Sequence, residues 1–226
     1  MPGVVIKALI FDFGRVISAW KPPELFRAYE RDLGLAPDTI NAIMFDSPHW
    51  HRALVGELSM DQYWQAVGPA LNLRTAAEIE NFQKRYYEAE RINEAVRELL
   101  HVYHGRLMLA LLSNHPPGLR GWLVEWEIDS LFDVIICSAE VGRAKPDPRI
   151  YRLTLERLGV RAAEAIFIDD TAGHVAAARA VGMHGLVFTG AAELETDISS
   201  LLDTYGQIAT ISYRARVDDG VGAVKT

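Results

Sequence analysis

Apolar positions in this chain occur in two patterns. Five short runs, 5–12, 107–113, 134–137, 165–169 and 185–188, are dense in apolar residues, and several have no polar alternation. That pattern predicts strands covered on both faces, as in a parallel sheet. Between the later runs, apolar residues return at helical spacing. In 148–159, Tyr151, Leu155 and Leu158 share one face, with Asp147 as N-cap and Pro148 in the first position. A second helix is expected over 171–181, closed by Gly182. Strand and helix in alternation predict an α/β fold, a Rossmann-like parallel sheet with helices on both faces and right-handed crossovers.

The stretch between the first and second runs has a different character. Segments 24–33, 59–67, 76–89 and 92–102 carry helical periodicity with no strand run among them, and Ser59 to Gln62 reads as a capping box. This predicts a small all-α cap domain over 18–96, inserted into an α/β core made of 1–17 and 97–226. A final edge strand is expected at 208–217, followed by a loose tail.

Three predicted strands end on a polar residue: Asp12, Ser113 and Asp169. Ligands of open α/β sheets bind at the carboxyl ends of the strands, so the pattern brings these distant residues to one crevice. The net charge of −7 argues against a nucleic-acid or anionic-membrane partner, either of which needs a basic face. Cys137 is the single cysteine, which excludes an internal disulfide, and it reads as an inert thiol at a buried strand end. No apolar run reaches the roughly 20 residues of a membrane span, and the start of the chain has no signal-peptide pattern. A cytoplasmic location is expected.

Four segments carry the chemistry, in this order: Phe11-Asp12-Phe13-Gly14-Arg15, Leu112-Ser113-Asn114, Gly142-Arg143-Ala144-Lys145-Pro146-Asp147-Pro148, and Phe167-Ile168-Asp169-Asp170. Together they resemble the haloacid-dehalogenase-like superfamily, in its phosphatase branch with a helical cap between the first and second motifs. The resemblance implies hydrolysis of a small phosphorylated metabolite through an aspartyl-phosphate on Asp12. Adjacent carboxylates repel unless a cation lies between them, and three carboxylates suit a hard ion such as Mg²⁺. By the same resemblance, Asp170 is a direct metal ligand, and Asp169 is either a second ligand or one acting through water. The backbone carbonyl of Gly14 joins them. Lys145 neutralises the nucleophile and the phosphoryl group. Ser113 and Asn114, ahead of a helix start expected at Pro116-Pro117, hold a phosphate oxygen. His115 reads as a neighbour rather than a catalyst.

One residue departs from the family pattern. Most phosphatases of this kind carry a second aspartate two positions after the nucleophile, serving as general acid and base; here that residue is Gly14, as in sugar-1-phosphate phosphatases of the family. General acid–base catalysis is typically worth about 10²–10⁴ in rate. Either the substrate has a good leaving group, or the proton comes from the cap or the substrate, or turnover is lost. Arg15 either binds substrate or packs under the cap. Trp20 is placed at the mouth, and His51 and Arg52 either line the entrance or belong to cap packing. Two other functions share these residues: a haloacid dehalogenase, which the acidic pair Asp169-Asp170 argues against, and a phosphate-ligand sensor without turnover.

Overall fold

The computed structural model describes residues 4–205, so the strand expected at 208–217 and the tail after it lie outside the described residues. The five apolar runs become β1 (Ala8–Phe11), β2 (Met108–Ser113), β3 (Val134–Cys137), β4 (Ala165–Asp169) and β5 (His184–Val187). They form one parallel sheet in the order β3-β2-β1-β4-β5. β1 is central, with Leu9 in register with Leu109 on one side and Ile166 on the other. The strand order reverses beside β1, which is where a crevice opens in sheets of this kind.

Between β1 and β2 run α1 (Pro23–Leu33), α2 (Ile40–Phe45), α3 (Pro48–Leu54), α4 (Met60–Val67), α5 (Ala76–Glu88) and α6 (Glu94–Tyr103). After β2 come α7 (Leu119–Glu125), the single turn α8 (Ser138–Val141), α9 (Pro148–Leu158), α10 (Ala172–Ala180) and α11 (Ala191–Tyr205). The expected caps are present. Ser59 and Gln62 exchange side-chain and backbone hydrogen bonds at 3.2 and 2.9 Å, and Asp147 Oδ1 accepts from Arg149 N at 2.8 Å. Each such cap is worth about 1 kcal/mol. The helix expected at Pro116-Pro117 starts later, at Leu119, because Gly118 turns the chain with φ +117. Ser113 therefore ends β2 and Asn114 begins the loop after it, and neither sits at a helix terminus.

The sheet is apolar on both sides, and the pleat sorts its residues. Ala8, Ile10, Ala110, Leu112 and Phe167 pack with Ile150, Tyr151 and Leu155 of α9. Leu9, Phe11, Leu109, Leu111 and Ile168 pack on the opposite face with α6, α7 and α11. The segment from α1 to α5 has its own apolar cluster, built on Tyr29, Ile40, Met44, Tyr63, Trp64 and Phe82. The chain enters and leaves this segment side by side: Ser18 bridges Ile92, Ala19 N donates to Arg91 O, and Asn93 N donates to Ile17 O. The boundary expected at 96 and 97 falls inside α6, whose Val96, Leu99 and Leu100 all pack against the sheet. Among the described residues, no helix is long and apolar enough to cross a membrane.

Candidate active site

Asp12 follows β1 directly, and its backbone N–H is held by Ile168 O of the neighbouring strand at 2.9 Å. Asp169 ends β4 and Ser113 ends β2, so the three predicted residues meet at the carboxyl edge of the sheet. Lys145 reaches the same point from the loop before α9. Its Nζ lies 2.8 Å from Asp12 Oδ1 and 2.5 Å from Asp169 Oδ2, and its side chain is fully buried. A buried ammonium between two carboxylates is compensated on both sides, and removing Lys145 would leave two buried carboxylates without their shared cation.

The two acidic groups behind Lys145 differ in environment. Burial pushes the Asp12 carboxyl up to about 6, with Lys145 opposing the rise and Asp169 adding to it. Burial also works against ionised Asp169, but the hydrogen bond from His174 and the charge of Lys145 outweigh it and hold that carboxyl below its ordinary value. Both oxygens of Asp169 are occupied: Oδ1 accepts from Thr171 N at 2.8 Å, Oδ2 from Lys145, and His174 Nδ1 lies 3.1–3.2 Å from both. Asp170 is less committed, with Thr171 Oγ1 at 3.1 Å and the exposed Arg15 guanidinium at 3.4 Å. Carboxylate oxygens of Asp12, Asp169 and Asp170 lie within 4.8 Å of one another. An all-oxygen, anionic donor set of this kind fits a hard divalent cation such as Mg²⁺.

After Asp12 the chain makes a type II turn. Gly14 has φ −63, ψ 126 and Arg15 has φ 59, ψ 3, the second of which suits glycine better than arginine. Ser18 stabilises the turn by accepting Arg15 N at 3.2 Å and donating its own N–H to Phe13 O at 2.8 Å. The Arg15 side chain is exposed and stacks over Trp20, with the guanidinium carbon 4.2 Å from the ring centroid. Trp20 itself is 58% exposed at the rim of the crevice.

Asn114 does something its sequence position did not announce. Its Nδ2 donates to Lys145 O at 2.8 Å and its Oδ1 accepts from Lys145 N at 2.7 Å, so both ends of the amide clamp the lysine backbone. Ser113 is buried and borders the crevice. His174 is a further group at the site that periodicity did not reveal; the only signal was its place one helical turn beyond the acidic pair.

The crevice continues into a cavity of about 650 Å³ that runs from Phe13, Gly14, Ser113 and Asn114 to the helical segment. His51 and Arg52 do not line it. They are exposed on α3, His51 Nδ1 against Ser47 O and Arg52 paired with Glu57, while Trp50 beside them faces the cavity. His115 does line it, with Nδ1 donating to Pro116 O at 2.7 Å, and burial holds its ring below the ordinary histidine range.

Known proteins resemble this chain in sequence and in fold. The chain is 31% identical over 188 residues to a sesquiterpene phosphatase of Aspergillus oryzae, covering 81% of this chain and 90% of that one. It is 29% identical over 191 residues to a phosphorylated carbohydrates phosphatase of Thermotoga maritima, covering 79% and 82%. Its fold is like that of a haloacid-dehalogenase family enzyme from Bacteroides thetaiotaomicron, solved with magnesium and inorganic phosphate. The TM-score there is 0.67 at 18% identity, over 80% of this chain and 93% of that one. Residues 5–182 match the family model for haloacid dehalogenase-like hydrolases. With that match over most of its length, the chain belongs to the haloacid dehalogenase-like hydrolases.

Proposed function

We propose that this protein is a Mg²⁺-dependent phosphatase of a small phosphorylated metabolite, with Asp12 as nucleophile. The observation that carries the reading is the buried Lys145 ammonium within ion-pair distance of both Asp12 and Asp169. It supplies the positive charge that a carboxylate needs to approach a phosphate dianion. The two relatives named above are both phosphatases by name, one of a sesquiterpene and one of carbohydrates.

In this reading Asp12 attacks phosphorus, the P–O bond to the alcohol breaks, and the alcohol leaves with a proton taken from solvent or substrate. Water then attacks the aspartyl-phosphate, releasing inorganic phosphate and restoring the carboxylate. Asp12, Asp170 and the Gly14 carbonyl are the groups that would hold Mg²⁺, whose charge would keep Asp12 ionised at neutral pH and offset the phosphate charge. Asp169, with both oxygens engaged, positions Lys145. Ser113 supplies its hydroxyl to the phosphate, and Asn114 acts chiefly by fixing the Lys145 backbone. The helices from α1 to α5 serve as a cap over the crevice, with Trp20 and Arg15 at its edge.

Gly14 stands where related phosphatases place a second aspartate, and a glycine cannot relay a proton. Retention of the nucleophile, the lysine and all three carboxylates favours turnover over ligand sensing. The same acidic group weighs against dehalogenation, in which carbon rather than a phosphate dianion is attacked and no cation is needed.

The test is phosphate release from p-nitrophenyl phosphate and a panel of alkyl and sugar phosphates, with Mg²⁺ or with EDTA. Release that requires Mg²⁺ and vanishes in Asp12→Asn is expected. Ligand binding without any release would replace the enzyme reading with the sensor.

A further inference from the structure

The cavity beyond the phosphate site has a composition unlike one that recognises a polyol. Its deep wall is formed by Phe26, Phe45, Trp50, Met60, Tyr63 and Trp64. The rings are packed on one another edge to face: Phe45 on Trp50 at 5.2 Å between centroids, Trp50 on Tyr63 at 5.4 Å, and Tyr63 on Trp64 at 5.3 Å. Such stacking fixes the wall's shape before a ligand arrives. Its volume of about 650 Å³ lies inside the roughly 300–1,000 Å³ range of small-molecule pockets.

Several polar groups in and around this wall are spent within the protein. Tyr63 donates its hydroxyl to Met44 O at 2.8 Å, and Trp64 Nε1 donates to Tyr87 Oη at 2.9 Å. Glu30 accepts from Thr39 N and Ile40 N at 2.8 and 3.1 Å. Lys21 and Glu90 form a largely buried ion pair with each other, and the ammonium lies over the Tyr86 ring, 4.4 Å from its centroid. Arg27, Asp38 and Asn41, which are polar and also line the cavity, are exposed. A sugar placed in this cavity would surrender its hydration without gaining matched hydrogen bonds, which costs free energy for every hydroxyl buried. An alkyl or alkenyl chain would lose nothing and gain contact with ring faces.

Taking the phosphatase reading as its basis, we infer that the alcohol esterified to the phosphate is a long apolar chain, seated in the aromatic cavity with its phosphate end at Asp12. The cavity runs continuously from Gly14 and Ser113 to Trp64, so one ligand can occupy both regions. Specificity then arises from chain length and apolarity, with the catalytic edge common to all substrates.

The experiment is a series of n-alkyl monophosphates from ethyl to dodecyl, held below their micelle-forming concentrations, against glycerol 3-phosphate and glucose 6-phosphate. All are esters of primary alcohols, so the leaving groups are closely matched. Each added methylene is expected to raise kcat/KM by about two- to fourfold until the cavity is full, mainly through KM. Glucose 6-phosphate should be no better than ethyl phosphate. Met60→Lys, which places a charge on the wall, should flatten the series.

A flat series with Asp12-dependent release of p-nitrophenol from p-nitrophenyl phosphate would overturn the inference while leaving the phosphatase intact. So would a preference for the sugar ester. If no ester is hydrolysed, the phosphatase reading fails by itself, and dodecylphosphonate binding, read by tryptophan fluorescence, decides the cavity. Saturable binding at least 100-fold tighter than that of ethylphosphonate supports the apolar site, and equal or absent binding overturns it.

Discussion

Asn114 grips Lys145 by both ends of its side-chain amide, accepting from the lysine N–H at 2.7 Å and donating to its carbonyl at 2.8 Å. The clamp ties the loop after β2 to the loop before α9 and fixes where the ammonium starts its reach to Asp12. A displacement of about 1 Å in such a group can cost about 10² in rate. Asn114→Ala is therefore expected to lower kcat by roughly 10- to 100-fold, with a smaller change in KM. Lys145→Met should abolish turnover, and steady-state kinetics of the two variants on one substrate separate positioning from charge.

Asp170 is the acidic residue at the site with the weakest internal commitments, and the metal reading depends on it. With Mg²⁺ at about 100 times its dissociation constant, binding stabilises the fold by about 2.7 kcal/mol. For a chain of this size that corresponds to a Tm rise of roughly 5–10 °C. Thermal unfolding with and without EDTA should show that rise in the wild type and a much smaller one in Asp170→Asn.

Arg15 occupies a left-handed backbone position, φ 59, in the turn after Asp12. A side chain there costs about 1–2 kcal/mol relative to glycine. Arg15→Gly is expected to be at least as stable as the wild type in urea unfolding. It also removes the guanidinium from beside Asp170 and Trp20, so KM for a phosphate ester should rise if the arginine meets substrate. An unchanged KM would assign Arg15 to the rim alone.

Glu164 gives a pH dependence remote from the Asp12–Lys145–Asp169 cluster. Arg161 and then Lys7, each at 2.8 Å, hold this buried carboxyl down to about 2, against an unfolded value near 4.5. A lowered folded-state value means the contribution is present above pH 4.5 and is lost as pH falls toward 2. Because Arg161 is exposed and Lys7 partly so, solvent screening reduces its worth to about 1–2 kcal/mol. Glu164→Gln should lose that amount at pH 7, and the two proteins should converge in stability near pH 2.

Much of the fold was legible because burial writes itself into local pattern. The strands 134–137 and 165–169 matched residue for residue, since an unbroken apolar run has few other places to go. Short helices were less visible. Two of them, α2 and α8, have only 6 and 4 residues, too few to show a period. The Ser47-Pro48 start of α3 and the spacing of Leu194, Ile198 and Leu202 in α11 were signals that could have revealed those helices. The expectation at Pro116-Pro117 failed because Gly118 redirects the chain before a helix can begin.

By itself the sequence determined the sheet, the helical segment between its first two strands, and which polar residues stand at the strand ends, because these depend on residue type and local order. Only the tertiary structure decided which polar groups are free and which are spent. It turned Asn114 toward Lys145, set His174 against Asp169, left His51 and Arg52 outside while Trp50 faces in, and closed the hydrogen bonds of Tyr63 and Trp64 within the wall. Those choices rest on contacts between residues far apart in the chain. No local pattern encodes them.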